Sequence, residues 1–497
     1  MKLTILFGGE AGQGPNLLSN ILGKALIKKG YYVFVSREYQ SLIRGGHNFN
    51  VLTFSDKPIH SNESKLDMII ALDENTEKIH KKELKSKGMV LKGHDENMYY
   101  AGALFKLLCL DFKGLEEELK ELEKKFEENM KEAKKGYEDE KKNFCKVDFL
   151  EKNKNVFING NKGIAEGAIK SGLDIYYAYP MTPATPVLGE LAENQIENNI
   201  LVLEMENEIS VINTAIGSAI TGAKIMIGTS GGGFDLMTEA LSLSGMAEVP
   251  LVVYLSQRPG PGTGIATGTG QGDLSMARHS GHGELNRVVL TPGDPKEAEE
   301  LVSQAFYFSQ KFKIPAIILS DKHLAESIYT IAENPKITKS EKSTKLERYN
   351  SYEKDEYGSA TENPEIVNKN VERRIKEGKE IEKEAEKFEQ FKIYGIKNVK
   401  NIVVSYGSTK GAILDAVANL KLSFMQILYA EPFSKSVKKE LEGKNIILVE
   451  NNATGQLGKL IAEKTGILIP DNNRVLRYDG RPFLHDELKK EIERRLK

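Results

Sequence analysis

The sequence predicts an α/β protein built on parallel sheets. Apolar runs of strand length alternate with amphipathic stretches of helix length, glycine- or proline-rich turns follow several of these runs, and two densely charged stretches divide the pattern. In the first part KLTILFGG, YYVFVS and LDMIIALD read as strands, with NLLSNILGKALIKKG as a helix between the first two. From Gly114 to Lys146 the composition turns to Glu, Lys and Leu at helical spacing, which sets a first boundary near residue 150. A second unit, residues 151–331, offers DIYYAY, ILVLE, KIMIGTS, PLVVYLSQ and IPAIILS as strands separated by helix-length segments. Residues 332–395 read as a charged connector that becomes helical at VERRIKEGKEIEKEAEKFEQF, its charges forming a solvated face. A third unit, residues 396–497, repeats the pattern with NIVVSYG, GAILDAVANL, FMQILYA, NIILVEN and LGKLIAEKTG.

The bulk numbers exclude several function classes. With 497 residues the chain can bury several cores, and a net charge of -2 from 69 basic and 71 acidic residues points to neither nucleic acid nor an anionic membrane as partner. The opening MKLTILFGGE lacks the pattern of a signal peptide and no run reaches membrane-spanning length, so a cytoplasmic protein is expected. Two cysteines, Cys109 and Cys145, cannot supply the four thiolates an iron–sulfur cluster normally takes. Any such redox centre is expected on another chain.

Two stretches of the first unit carry glycine loops. FGGEAGQGPN, with Gly12 and Gly14, lies between a strand and a helix but matches neither the dinucleotide fingerprint nor a P-loop, which leaves a tight turn and a ligand cradle both open. EYQSLIRGGHNFNV places Arg44, two glycines and His47 between strands, where a hairpin is the plain reading.

The second unit concentrates unusual residues after its strands, where ligands of open parallel sheets bind. In YYAYPMTPATPV, Tyr179, Thr182 and Thr185 each precede a proline, so the stretch is expected to continue neither sheet nor helix and to present the Thr182 hydroxyl on a rigid, extended backbone. Glu206 and Glu208 follow ILVLE and open an apolar, small-residue helix. Thr229, Ser230 and Gly231 begin TSGGGF, whose glycines admit a ligand or another backbone closely, and Arg258 in QRPGPGTG stands against a proline. Singly, each has a bland explanation in a helix dipole, a turn or a surface ion pair. Their convergence on one edge does not.

These motifs resemble the α subunits of 2-oxoacid:ferredoxin oxidoreductases in which a γ domain is fused in front. YPMTPATP is similar to the family's Tyr-Pro-Ile-Thr-Pro-Ser-Ser motif, ENEISVINTAIGSAITGAKIMIGTSGGGFDLMTEALSLSGMAEVPLVV to its thiamine pyrimidine-domain core, and SQRPGPGTG with GQGDL to its arginine loop. EYQSLIRGGHNF is similar to the γ domain's arginine–glycine loop and YDGRPF to the closing motif, so the resemblance spans nearly the whole chain. Gly262, where a serine or threonine is usual, and IAT, where LPT is commoner, depart from it.

The resemblance implies a γ domain over residues 1–150, a doubly wound pyrimidine-type thiamine-diphosphate domain over 151–331, and a transketolase-C-like α/β domain over 396–497. It implies that Glu208 holds N1′ of the thiamine diphosphate aminopyrimidine, that Tyr179, Pro180, Thr229, Ser230 and Gly231 line the cofactor, and that Thr182 and Arg258 meet the 2-oxoacid. Gly12, Gly14 and Arg44 are the γ-domain loop candidates. The implied activity is oxidative decarboxylation of a 2-oxoacid, 2-oxoglutarate favoured, to acyl-CoA and CO2 with ferredoxin as electron acceptor. Because no Gly-Asp-Gly motif with a following asparagine is present, Mg2+ and the [4Fe-4S] cluster are expected on a separate β subunit, in an αβ heterodimer or its dimer. Alternatives are the same chemistry on pyruvate, branched-chain 2-oxoacids or indolepyruvate, a non-catalytic γ–α scaffold, and a nucleotide-binding regulator built on the first glycine loop.

Overall fold

Val, Ile, Leu and aromatic residues fill the strands, and where both sheet faces are covered the runs are apolar throughout. LVVYLSQ and PAIILSD, at Leu251–Gln257 and Pro315–Asp321, are buried at every residue. The computed structural model describes residues 1–40, 46–122, 125–151, 155–343 and 349–496.

Strands run in chain order as β1 (Lys2–Gly9), β2 (Tyr32–Glu38), β3 (Asn48–Ser55), β4 (Leu66–Ala71), β5 (Leu84–Leu91) and β6 (Asn155–Asn159). There follow β7 (Ile175–Ala178), β8 (Leu201–Glu204), β9 (Ile225–Thr229), β10 (Leu251–Gln257), β11 (Val288–Leu290), β12 (Pro315–Asp321) and β13 (Ile328–Ala332). The last are β14 (Phe391–Gly395), β15 (Asn401–Tyr406), β16 (Ser423–Ile427), β17 (Tyr429–Glu431), β18 (Asn445–Glu450) and β19 (Arg474–Leu476).

The chain divides into two compact units. The first takes Met1–Ile158 together with Ser327–Glu333 and Leu484–Lys489. Its sheet has the order β5-β4-β1-β3-β2-β13-β6. The expectation of a parallel sheet here is corrected: β4 is parallel to β1 and β5, but β3 is antiparallel to both β1 and β2. The cause is local, because β2 and β3 form a hairpin and a hairpin connects antiparallel strands. Helices Pro15–Lys28 and Asn97–Leu107 bury apolar faces in the core that includes Phe7, Leu26, Phe54 and Phe105.

The second unit, Asn159–Glu326 with Asn334–Phe483 and Lys490–Lys497, holds two sheets. The order β17-β11-β12-β10-β9-β7-β8 is parallel from β11 to β8, and β17 joins antiparallel through Val289↔Glu431 and Leu290↔Tyr429. The other sheet, β14-β16-β15-β18-β19, begins at Phe391, within the stretch read as connector. Helix Pro364–Ala385 in that stretch is not solvated all round, since Ile381 and Ala385 are buried among Phe306, Phe308 and Tyr429. Among the described residues no helix is long and apolar enough to cross a membrane.

Candidate active site at the carboxyl ends of the second sheet

After β7 the chain forms β8 on one side and then β9 on the other, so the ends of β7 and β9 frame a topological switch point. Thr182 follows β7, Glu208 follows β8, Thr229 to Gly231 close β9, and Arg258 follows β10. All leave the same edge because the four strands are parallel.

The proline-rich segment is held from beneath. The Asn161 side-chain amide donates to the Pro183 carbonyl at 3.1 Å and accepts from the buried Tyr254 hydroxyl at 2.8 Å. Pro186 does not exclude a helix, contrary to the expectation for this stretch: Thr185–Glu193 is helical, and a proline in the first turn lacks an N–H that would have no partner there. Tyr179 is exposed, and Pro180 and Thr182 are half-buried. The Arg258 Nη1 donates to the Thr182 carbonyl at 2.8 Å, which brings the two residues expected to meet a 2-oxoacid into direct contact.

Glu208 begins helix Glu208–Ala219, whose cap is the Asn207 side chain accepting the Ser210 N–H at 2.9 Å. Glu206 remains exposed and takes the Ser210 hydroxyl, whereas Glu208 is buried at 4% relative exposure. Among the described residues its Oε1 has no hydrogen-bond partner, and neither has the buried Ser230 Oγ. Gly233 explains the close approach: a Cβ there would stand 2.6 Å from Glu208 Oε1 and 2.2 Å from Thr229 Oγ1. A buried carboxyl with an oxygen left unpaired beside a side-chain-free wall fits an aminopyrimidine, whose ring nitrogen needs such a partner and whose flat face needs such a wall.

One acid escaped the sequence reading. Asp273, within GQGDL, hangs from β10 by its N–H, which donates to the Gln257 Oε1 at 2.9 Å. Its carboxyl lies over the glycine turn, so that a Cβ on Gly231 would be 2.5 Å from Asp273 Oδ2, an atom that is buried and has no hydrogen-bond partner among the described residues. Burial pushes this carboxyl up to about 6, the Asp235 charge adds to the shift, and Arg258 opposes it. Its only trace in sequence is an acid just after two glycines, Gly270 and Gly272.

The first-unit candidates are distributed differently. Gly12 and Gly14 have φ of 95° and 94°, and a Cβ on Gly14 would meet Asn97 Nδ2 at 2.4 Å. The Asn97 amide donates to the Gln13 carbonyl at 3.1 Å, and the Gln13 Oε1 accepts the Glu10 N–H at 2.7 Å, so packing accounts for the glycine at 14. Arg44 lies outside the described residues. His47, just beyond it, has its Nε2 2.8 Å from that of His80.

Residues 166–395 match the family described as pyruvate flavodoxin/ferredoxin oxidoreductase, thiamine diP-bdg, and residues 4–96 that described as pyruvate ferredoxin/flavodoxin oxidoreductase. The chain belongs to the 2-oxoacid:ferredoxin oxidoreductase α-subunit family. It is 29% identical, in a 618-residue alignment covering 99% of this chain and 96% of the relative, to the 2-oxoacid:ferredoxin oxidoreductase subunit alpha of a Sulfolobus species. It is 37% identical over 174 residues, 34% of this chain and 50% of the relative, to the 2-oxoglutarate synthase subunit KorA of Archaeoglobus fulgidus. A solved structure of 2-oxoglutarate:ferredoxin oxidoreductase from Magnetococcus marinus, with 2-oxoglutarate, coenzyme A and succinyl-CoA bound, matches at a TM-score of 0.88 and 23% identity over 100% of both chains. That likeness extends the shared fold along the full length of the chain.

Proposed function

We propose that this chain is the α subunit, with a γ domain fused in front, of an enzyme that oxidatively decarboxylates a 2-oxoacid to acyl-CoA and CO2 while reducing ferredoxin. The observation that carries the reading is the buried, unpaired Glu208 Oε1 against Gly233, at the switch point that also holds the Arg258–Thr182 contact. Thiamine diphosphate, when bound, supplies the nucleophilic carbon and the electron sink for decarboxylation. Glu208 would hold the aminopyrimidine nitrogen and move a proton at Oε1, in surroundings that strengthen the hydrogen bond by excluding water. Thr229, Ser230 and Gly231 would line the ring, with Tyr179 and Pro180 at its rim. Arg258 would pair with the 2-oxoacid carboxylate through its planar fork, and Thr182 would bound the same pocket. The 2-oxoglutarate preference draws on the relatives named 2-oxoglutarate synthase.

Mg2+, the cofactor's diphosphate and the [4Fe-4S] cluster belong, on this reading, to a separate β subunit, in an αβ heterodimer or its dimer. Ile209 and Leu236, 53% and 55% exposed at the same sheet edge, support a site that a second chain covers. The test is Glu208→Gln in the complex co-expressed with its β partner. Turnover of 2-oxoglutarate with coenzyme A should fall by at least about 100-fold, the usual weight of a proton-transfer group, while the complex still assembles. Wild-type ferredoxin reduction by the variant would refute the assignment.

A further inference from the structure

Asp273 is the N-cap residue of helix Leu274–His279, yet its carboxyl makes no capping hydrogen bond to that helix. The groups whose charges act on this carboxyl are Arg258 after β10 and Asp235 on helix Gly231–Leu236, and its own charge acts on the Tyr406 hydroxyl, which donates to the neighbouring Gln271 carbonyl at 3.1 Å. The Gln456 amide of helix Gln456–Thr465 adds a neutral contact to the Gly272 carbonyl at 2.6 Å, and the Glu208 carboxyl lies on the other side of the glycine turn, against Gly233. Asp273 is anchored through Gln257, the residue immediately before Arg258, and Gly270 packs so closely on Pro259 that a Cβ would lie 3.0 Å from its nitrogen. The acid and the arginine are therefore carried on two segments locked together. With Oδ2 buried and unpaired, the nearby guanidinium is the cation that stabilises the carboxylate.

We propose that Asp273 is a positioning residue that occupies Arg258 electrostatically in the resting site and yields it to the carboxylate of the incoming 2-oxoacid by taking up one proton. This rests on the reading of Arg258 as that carboxylate's partner. Two carboxylates around one guanidinium, with Asp235 close by, repel one another, so binding of the substrate anion favours the neutral Asp273. The proton comes from solvent and returns to it when the anion leaves. Because burial already pushes the Asp273 carboxyl up to about 6, rising pH ionises it and weakens substrate binding through the neutral range.

The test measures KM for the 2-oxoacid and for coenzyme A as a function of pH in the αβ complex, wild type and Asp273→Asn. The wild-type KM for the 2-oxoacid should rise about tenfold between about pH 5.5 and 7.5, one unit of coupling between the two carboxylates. In Asp273→Asn it should be low and flat over that window, with the coenzyme A KM keeping its wild-type profile. Titration calorimetry in two buffers of different ionisation enthalpy should show proton uptake on 2-oxoacid binding by the wild type and none by the variant. An equal pH slope in wild type and variant overturns the role of Asp273 alone, whereas a wild-type complex that turns over no 2-oxoacid overturns it together with the proposed function. If Asp273→Asn assembles poorly, Asp273→Glu carries the test: it keeps a titrating group and should retain the slope, and a flat profile there overturns the proposal.

Discussion

Arg258 donates from Nη1 to the Thr182 carbonyl, a contact that helps to orient its planar guanidinium. A fork so held can meet a carboxylate at two points. Lysine cannot, since an ammonium is a point charge and loses the in-plane geometry. Arg258→Lys should therefore raise the KM for the 2-oxoacid by about 10- to 100-fold, corresponding to the 1.5–3 kcal/mol of a bond to a charged group, with the KM for coenzyme A little changed. Steady-state kinetics of the complex with each substrate varied in turn decides it, and equal effects on both would remove Arg258 from the carboxylate pocket. At this scale the sequence was informative where residue type is itself unusual: prolines after Tyr179, Thr182 and Thr185, a glutamate opening an apolar helix, three glycines after a strand. It was silent on Asp273, because burial of an acid in a glycine-rich loop depends on what packs over it, and the Gln257 anchor lies 16 residues away.

Elements were legible in proportion to their length and to the sharpness of their period. The buried strands β9, β10 and β12 and the long amphipathic helices stand out as apolar runs and stripes. β11, β17 and β19, of three residues each, do not, and the antiparallel place of β3 depends on pairing rather than on pattern. What joins the two sheets of the second unit was also hidden, since its residues are far apart in sequence. Lys410, which is buried, pairs with Asp294 and with Glu297 at 2.6 Å, and Glu297 also takes Lys392 at 2.9 Å, the Gln426 amide at 2.6 Å and the Gly293 N–H at 2.8 Å. The Lys410 charge holds the half-buried Asp294 below the usual carboxylate range against the cost of its desolvation. Lys410→Met should destabilise the chain by about 3–5 kcal/mol, because it leaves the buried Glu297 and the half-buried Asp294 short of a cation. For the wild type the sign follows from Asp294: its folded value is depressed, so its contribution is present above the ordinary aspartate range and is lost as pH falls through that folded value. Denaturant unfolding at neutral pH and at about pH 3 checks both, and a variant as stable as the wild type, with the same acid sensitivity, would show the cluster to be inert.

For the whole molecule, the proposed division of labour between chains turns on cysteine and on exposed apolar surface. A four-iron cluster needs thiolates, and this chain has two cysteines, Cys109 and Cys145, both free. Burial pushes the Cys145 thiol up to about 11, so it is protonated at neutral pH and a poor metal ligand. Among the described residues no group of three or more His, Cys, Asp or Glu side chains is placed to hold a metal ion. The sheet edge around the candidate site meanwhile leaves Ile209, Leu236 and, on the edge strand β8, Leu201 and Leu203 in contact with solvent. A surface of that kind beside the candidate site is what the proposed partner chain would cover. The purified chain alone should accordingly contain no stoichiometric iron, show no brown colour, bind thiamine diphosphate weakly and reduce no viologen dye with any 2-oxoacid. Addition of the β subunit under anaerobic conditions, with Mg2+, thiamine diphosphate and coenzyme A, should restore dye reduction that depends on the 2-oxoacid. Iron analysis, cofactor titration and the dye assay on the chain with and without its partner settle the matter: full activity from the isolated chain would overturn the divided site, and an iron-loaded complex inert to every common 2-oxoacid would favour a scaffold over a catalyst.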